Sequence, residues 1–166
     1  MQVKNLSGRK KQQTQINRVQ ELNSSIMKII QKEFSLAPKK RGFHLVTSEI
    51  ERNVPEMSGI KKGIAHIMIK HTSASITINE NADPSVRKDM ENYFSNYVPE
   101  EIDLYSHASE GPDDMTAHIK STLIGNNVNI PVSDGRFNLG IWQGIYLCEH
   151  RNEGGPRNVV VTIFGE

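Results

Sequence analysis

The chain has 166 residues, with 20 Lys/Arg against 19 Asp/Glu and a formal charge of +1. That length suits one domain with a tail, and the balance excludes both a wholly basic nucleic-acid binder and a wholly acidic solvating segment. The single cysteine, Cys148, excludes an intramolecular disulfide framework and a Cys-rich zinc module, and is compatible with a reducing, cytoplasmic setting.

Charge is unevenly placed. Residues 1–41 hold ten Lys/Arg and two acids, and the remaining 125 hold ten and seventeen. A basic leader therefore precedes an acidic body. The leader lacks the apolar stretch of a secretory signal. It is open to three readings: a solvated tail with a short helix, an organellar targeting segment, or a polyanion-binding arm. The body has no apolar run long enough to cross a membrane as a helix.

In chain order, residues 1–13 are polar, and over 14–33 Ile16, Val19, Leu22, Ile26, Ile29 and Ile30 follow the spacing of an amphipathic helix. Residues 43–50 predict a strand. Residues 63–71 predict another, with Ala65, Ile67, Ile69 and His71 on one face. Ser75 to Ile78 continues extended. Asp83 followed by Pro84 is an N-cap and first-turn pair, and Val86, Met90, Phe94 and Tyr97 predict a helix from Pro84 to about Tyr97. Pro112, Asp113 and Asp114 open a second helix that Gly125 stops, with Met115, Ile119 and Leu123 as its expected buried stripe. Strands follow at 127–132, 141–149 and 157–164, with a turn at Ser133–Arg136; the last two strands are expected to pair antiparallel. Strands with two internal helices and an N-terminal helix define an α+β class.

No phosphate loop, dinucleotide fingerprint, helical metalloprotease spacing or nucleophile elbow occurs. The candidates lie elsewhere. His71 ends a strand, His107 sits in a polar loop before Glu110, and His118 follows Asp114 by one helical turn. A carboxylate one turn away can orient an imidazole toward a metal or substrate. Three imidazoles can form an open zinc-type site; ordinary hydrogen-bonded histidines give the same spacing. The Asn79–Asp83 stretch could hold Mg²⁺ through oxygen ligands or simply cap a helix. Arg136 and Arg151 could clamp phosphate or form surface ion pairs.

Residues 71–94 (HTSASITINENADPSVRKDMENYF), 107–125 (HASEGPDDMTAHIKSTLIG), 130–151 (IPVSDGRFNLGIWQGIYLCEHR) and 158–166 (NVVVTIFGE) resemble, in order, the YjbQ-like family, also named the secondary thiamine-phosphate synthase family. The resemblance covers about 34–166 and leaves 1–33 as a basic extension. It implies a curved, largely antiparallel, barrel-like sheet, a homotrimer, and a site near subunit interfaces. It implies His71, His107 and His118 as ligands of a divalent metal, zinc or magnesium. It implies Glu110, Asp114 and Gln143 as catalytic groups, with Asn81, Arg136 and Arg151 binding substrate. The activity implied is that of an enzyme joining a pyrimidine diphosphate to a thiazole phosphate, a small phosphorylated substrate pair; the alternative is a non-catalytic trimeric metabolite- or metal-binding protein. Neither a membrane nor a nucleic acid is an expected partner.

Overall fold

A computed structural model describes residues 12–15, 26–100 and 102–166. Most of the basic leader, and residues 16–25 of the expected N-terminal helix, lie outside these. Residues 12–15 form one helical turn. The C-terminal part of that expected helix is instead a strand, β1 (Lys28–Leu36). It pairs antiparallel with the last strand, β8 (Arg157–Gly165), over nine residues from Lys28↔Gly165 to Leu36↔Arg157. Ile29 and Ile30 satisfy a helical stripe and an alternating strand alike. The free edge of β8 decides between them, because pairing along nine residues satisfies the backbone groups with which the two strands face each other.

Among the described residues, eight strands form two antiparallel sheets. One has the order β1-β8-β3-β5-β6, with β3 (Lys62–Ile69), β5 (Asn127–Ser133) and β6 (Arg136–Phe137). The other has the order β2-β7-β4, with β2 (Gly42–Leu45), β7 (Gln143–Glu149) and β4 (Ala74–Glu80). Together they make the curled, half-barrel α+β architecture that the sequence implied. The expected β7–β8 pairing is absent. The loop 150–156 carries the chain from one sheet to the other, and each strand finds its partners elsewhere. Between the sheets lies the main core, including Ile67, Ile76, Ile130, Leu147, Val161 and Ile163.

Three α-helices of seven residues or more complete the fold among the described residues. The strand expected over 43–50 ends at Leu45, and α1 (Thr47–Asn53) follows, seating Ile50 fully in the core. α2 (Pro84–Tyr97) starts as expected: the Asp83 carboxylate accepts from the Ser85 N–H at 2.8 Å. Its Met90 and Phe94 cover Phe43, Tyr146 and Cys148 on the outer face of the small sheet. Tyr97, the last residue of the apolar spacing, is exposed and stacked on Tyr93.

α3 (Pro112–Ile124) has the expected bounds and a different buried face. Leu123 is exposed, whereas Asp113, Asp114, Thr116, Ala117, Lys120 and Ser121 are buried. Their spacing of three and four residues matches an apolar stripe, but polar groups write it. Polar partners make this possible: Ser121 donates to the Ala74 carbonyl at 2.9 Å, and Thr116 to that of Asp113 at 3.1 Å. No helix among the described residues is long and apolar enough to cross a membrane.

Candidate metal centre

The polar face of α3 begins where two loops meet its first turn. His107 comes from the loop before α3, Asp113 and Asp114 from the first turn of α3, and Arg151 from the residue after β7 and His150. The Arg151 guanidinium bonds both carboxylates, Asp114 through Nη1 and Asp113 through Nε at 3.2 Å. Its Nη2 donates to the Glu110 carbonyl at 2.9 Å, tying the preceding loop down. The Asn152 backbone N–H donates to Asp113 at 2.8 Å. Burial opposes ionisation of Asp113, but the Asn152 N–H and Arg151 outweigh it and hold the carboxyl below its ordinary range.

Arg151 leaves Oδ2 of Asp114 free. This oxygen is buried and accepts no hydrogen bond, although Nε2 of His107 lies 2.9 Å away and Nε2 of His118 lies 3.6 Å away. Ligand atoms of His107, Asp114 and His118 all fall within 4.8 Å of one another. The other ring nitrogen of His118, Nδ1, meets the Thr72 carbonyl at 3.0 Å. In the neutral ring that contact puts the proton on Nδ1 and turns the Nε2 lone pair toward Asp114. Two imidazoles and one carboxylate suit a borderline cation such as zinc, with open positions, better than the oxygen-rich shell magnesium prefers. A buried carboxylate oxygen that accepts no aligned hydrogen bond and has an imidazole nitrogen on each side is the observation by which the donor set fits a divalent ion.

His71 is outside this cluster. Its Nε2 receives the Asn158 backbone N–H at 2.8 Å, and its Nδ1 lies 3.3 Å from Nη1 of Arg157. Burial and then Arg157 lower its pKa. With both nitrogens facing donors within the chain, this ring lines the neighbouring cavity. Arg157 is itself locked to Glu149 by two bonds of 2.6 and 2.7 Å, both residues being buried.

The other expected site residues lie elsewhere. Asn81 and Gln143 sit at the start of β7, about 20 Å from its Glu149 end at the usual strand rise. Asn81 donates its backbone N–H to the Trp142 carbonyl and its side chain to that of Gln143, each at 2.8 Å. The Gln143 side chain accepts from the Gly140 N–H at 2.8 Å. Both amides hold the 138–143 loop, which presents exposed Ile141 and Trp142. Arg136 lines a third cleft with Glu51 and Ser58, beyond the Lys62 end of β3 and so remote from His71. Within one chain, therefore, His107, Glu110, Asp114, His118 and Arg151 come together. Asn81, Gln143 and Arg136 do not join them.

Sequence reasoning missed the Glu149–Arg157 pair, the Thr72 carbonyl and Lys120. Nothing in spacing announces a carbonyl or a lysine with no exposed surface.

A fold and site of this kind define a class, and comparison with known proteins fixes it. The family described as "UPF0047 protein YjbQ-like" matches residues 32–166, and the chain belongs to that family. The match begins inside β1. Among relatives, the UPF0047 protein YjbQ of Salmonella typhimurium is 48% identical over 136 residues, 82% of this chain and 98% of the relative. The UPF0047 protein MJ1081 of Methanocaldococcus jannaschii is 48% identical over 111 residues, 66% of this chain and 75% of the relative. Among solved structures, a YbjQ-like protein of unknown function from Sulfolobus solfataricus superposes with a TM-score of 0.75 at 26% identity, covering 85% of this chain and all of that one. A YjbQ/UPF0047 family protein from Clostridium acetobutylicum gives 0.69 at 39% identity, covering 80% and 98%.

Proposed function

We propose that this chain is a metal-dependent enzyme acting on a small phosphorylated metabolite, with His107, Asp114 and His118 holding the ion. The observation that carries the reading is the buried Oδ2 of Asp114, which accepts no aligned hydrogen bond and is set between two imidazoles. A divalent ion bound there would supply Lewis acidity and counter-charge for phosphate oxygens. The chain's own residues do the rest. Thr72 fixes the His118 ring, and Arg151 holds Asp114 and the 107–111 loop. The Glu110 side chain, exposed and with its Oε2 3.9 Å from Nη1 of Arg151, is the candidate to move a proton. Arg151 is committed to carboxylates, so the ion is the cation that meets phosphate.

The family resemblance makes thiamine phosphate formation the first reaction to assay. Purified protein is given the pyrimidine diphosphate and thiazole phosphate with zinc or magnesium. The reading predicts product in wild type and at least a hundredfold loss, as an order of magnitude, in His118→Ala. Product at the wild-type rate from that variant would remove His118 from the site.

A binding-only role is favoured by a different observation. The Ser75 hydroxyl and His150 Nε2 lie 2.8 Å apart as a nucleophile–base pair would, yet both are buried away from the centre. Tight retention of a metabolite without turnover would identify that role.

We further propose that the chain acts as a homotrimer in the cytoplasm. In support, the outer face of the large sheet carries a cross-strand row of Ile29, Phe164, Ile64 and Pro131, with its three large apolar side chains exposed. Such a row suits a second copy. Sedimentation equilibrium at three subunit masses supports this assembly; a monomer at micromolar concentration contradicts it.

A further inference from the structure

We propose that the cavity beside His118 receives the organic end of the substrate, and that this end carries hydroxyl or amino donors; phosphate is excluded from it and stays at the metal cluster. The inference rests on the metal-centre reading and names the substrate class of that site. The cavity is about 350 Å³, enough for a small metabolite fragment, and His71, Thr72, His118, Ser121, Thr122 and Asn126 line it. Because His118 borders both cavity and cluster, one ligand can reach both.

Three features give the α3 wall of this cavity a single polarity. First, the wall is the last turn of a 13-residue helix that ends at Ile124, with no basic residue in that turn. The helix dipole is therefore negative there and uncompensated, which disfavours phosphate. Second, the wall hydroxyls have spent their protons. Ser121 donates to the Ala74 carbonyl, and Thr122 to the His118 carbonyl, each at 2.9 Å. What they offer a ligand is lone pairs. Third, no lysine or arginine lines the cavity among the described residues. Arg157, behind His71, is held by Glu149. Donors remain at the rim, in the Thr72 hydroxyl and in the Asn126 amide, whose Oδ1 accepts from Asn127 at 2.9 Å. They can receive a ligand's own oxygen but cannot balance a phosphate dianion.

The test uses the full chain loaded with zinc and two probes of equal shape, 2-hydroxyethyl phosphate and propyl phosphate, with inorganic phosphate as a third. Binding is followed by amide shifts in ¹⁵N NMR spectra. The hydroxyl probe is expected to bind about 5- to 10-fold tighter than its methyl counterpart, the size of one good hydrogen bond. It should move the amides of Thr122, Gly125 and Asn126, which inorganic phosphate leaves in place. Thr122→Val keeps the shape and removes an acceptor; it should reduce the preference toward one. Equal binding of the two probes, or inorganic phosphate shifting the Thr122–Asn126 amides, overturns the inference while leaving the metal centre standing. Failure to take up zinc at all is a different result: it removes the parent reading and this one with it.

Discussion

Three consecutive residues at the end of β7 organise three polar networks. Glu149 binds Arg157 beside His71, His150 meets Ser75, and Arg151 ties Asp113, Asp114 and the Glu110 carbonyl. Replacing Arg151 with Met should strand two carboxylates and cost about 2 kcal/mol, readable in urea unfolding. Lysine should recover less than half of that, because a single ammonium cannot bond three acceptors in the plane of a fork; full rescue by Arg151→Lys would show that charge alone matters. His150 sets a pH dependence. Burial, then Lys120, Arg157 and Arg41, lower its pKa to about 3. Between its unfolded value near 6.5 and about 3, the unfolded chain binds a proton that the folded chain refuses. Stability should therefore fall as pH drops through that window, with a contribution of up to about 1.4 kcal/mol per pH unit. His150→Gln should flatten the slope of urea midpoints between pH 6 and 4; an unchanged slope would assign it to other groups.

At the scale of elements, the turn joining β5 to β6 holds Asp134 at φ +48° and Gly135 at φ +78°. A Cβ on Gly135 would also lie 2.8 Å from the Ser58 Cα. Gly135→Ala should thus cost about 1–3 kcal/mol, measured by thermal or urea unfolding; a neutral result would mean that the Ser58 segment yields freely. Leu147→Ala, in the core between the sheets, should cost about 2–5 kcal/mol by the same assay. These elements show what sequence makes legible. Asp83-Pro84 and Gly125 marked helix ends because capping chemistry is local. β1 was misread because Ile29 and Ile30 suit two periods, and the deciding partner, β8, lies more than a hundred residues away. α3 had the right ends and the wrong face, since its buried side is defined by Arg151 and the β4 backbone. The pairing of His118 with Asp114 could be read one turn apart on a helix. Their meeting with His107 and Arg151, and the diversion of His71 to Asn158, depended on loops whose approach no spacing encodes.

Over the whole molecule, the half-barrel separates two polar regions. One end of β7 gathers the imidazoles, acids and Arg151; the other gathers Asn81, Gln143 and the exposed Ile141–Trp142 tip. Arg136 occupies a third region. A phosphorylated substrate handled by one chain would meet only the first of these. The central claim is that His107, Asp114 and His118 jointly hold a divalent ion. The most direct measurement is zinc-edge X-ray absorption of the zinc-loaded full chain, compared with His107→Ala and Asp114→Asn. The account predicts one tightly held zinc per chain, a shell of nitrogen and oxygen ligands with the scattering of two imidazoles, and loss of zinc from both variants. Zinc retained equally by both variants, or a wild-type shell without imidazole scattering, would contradict it.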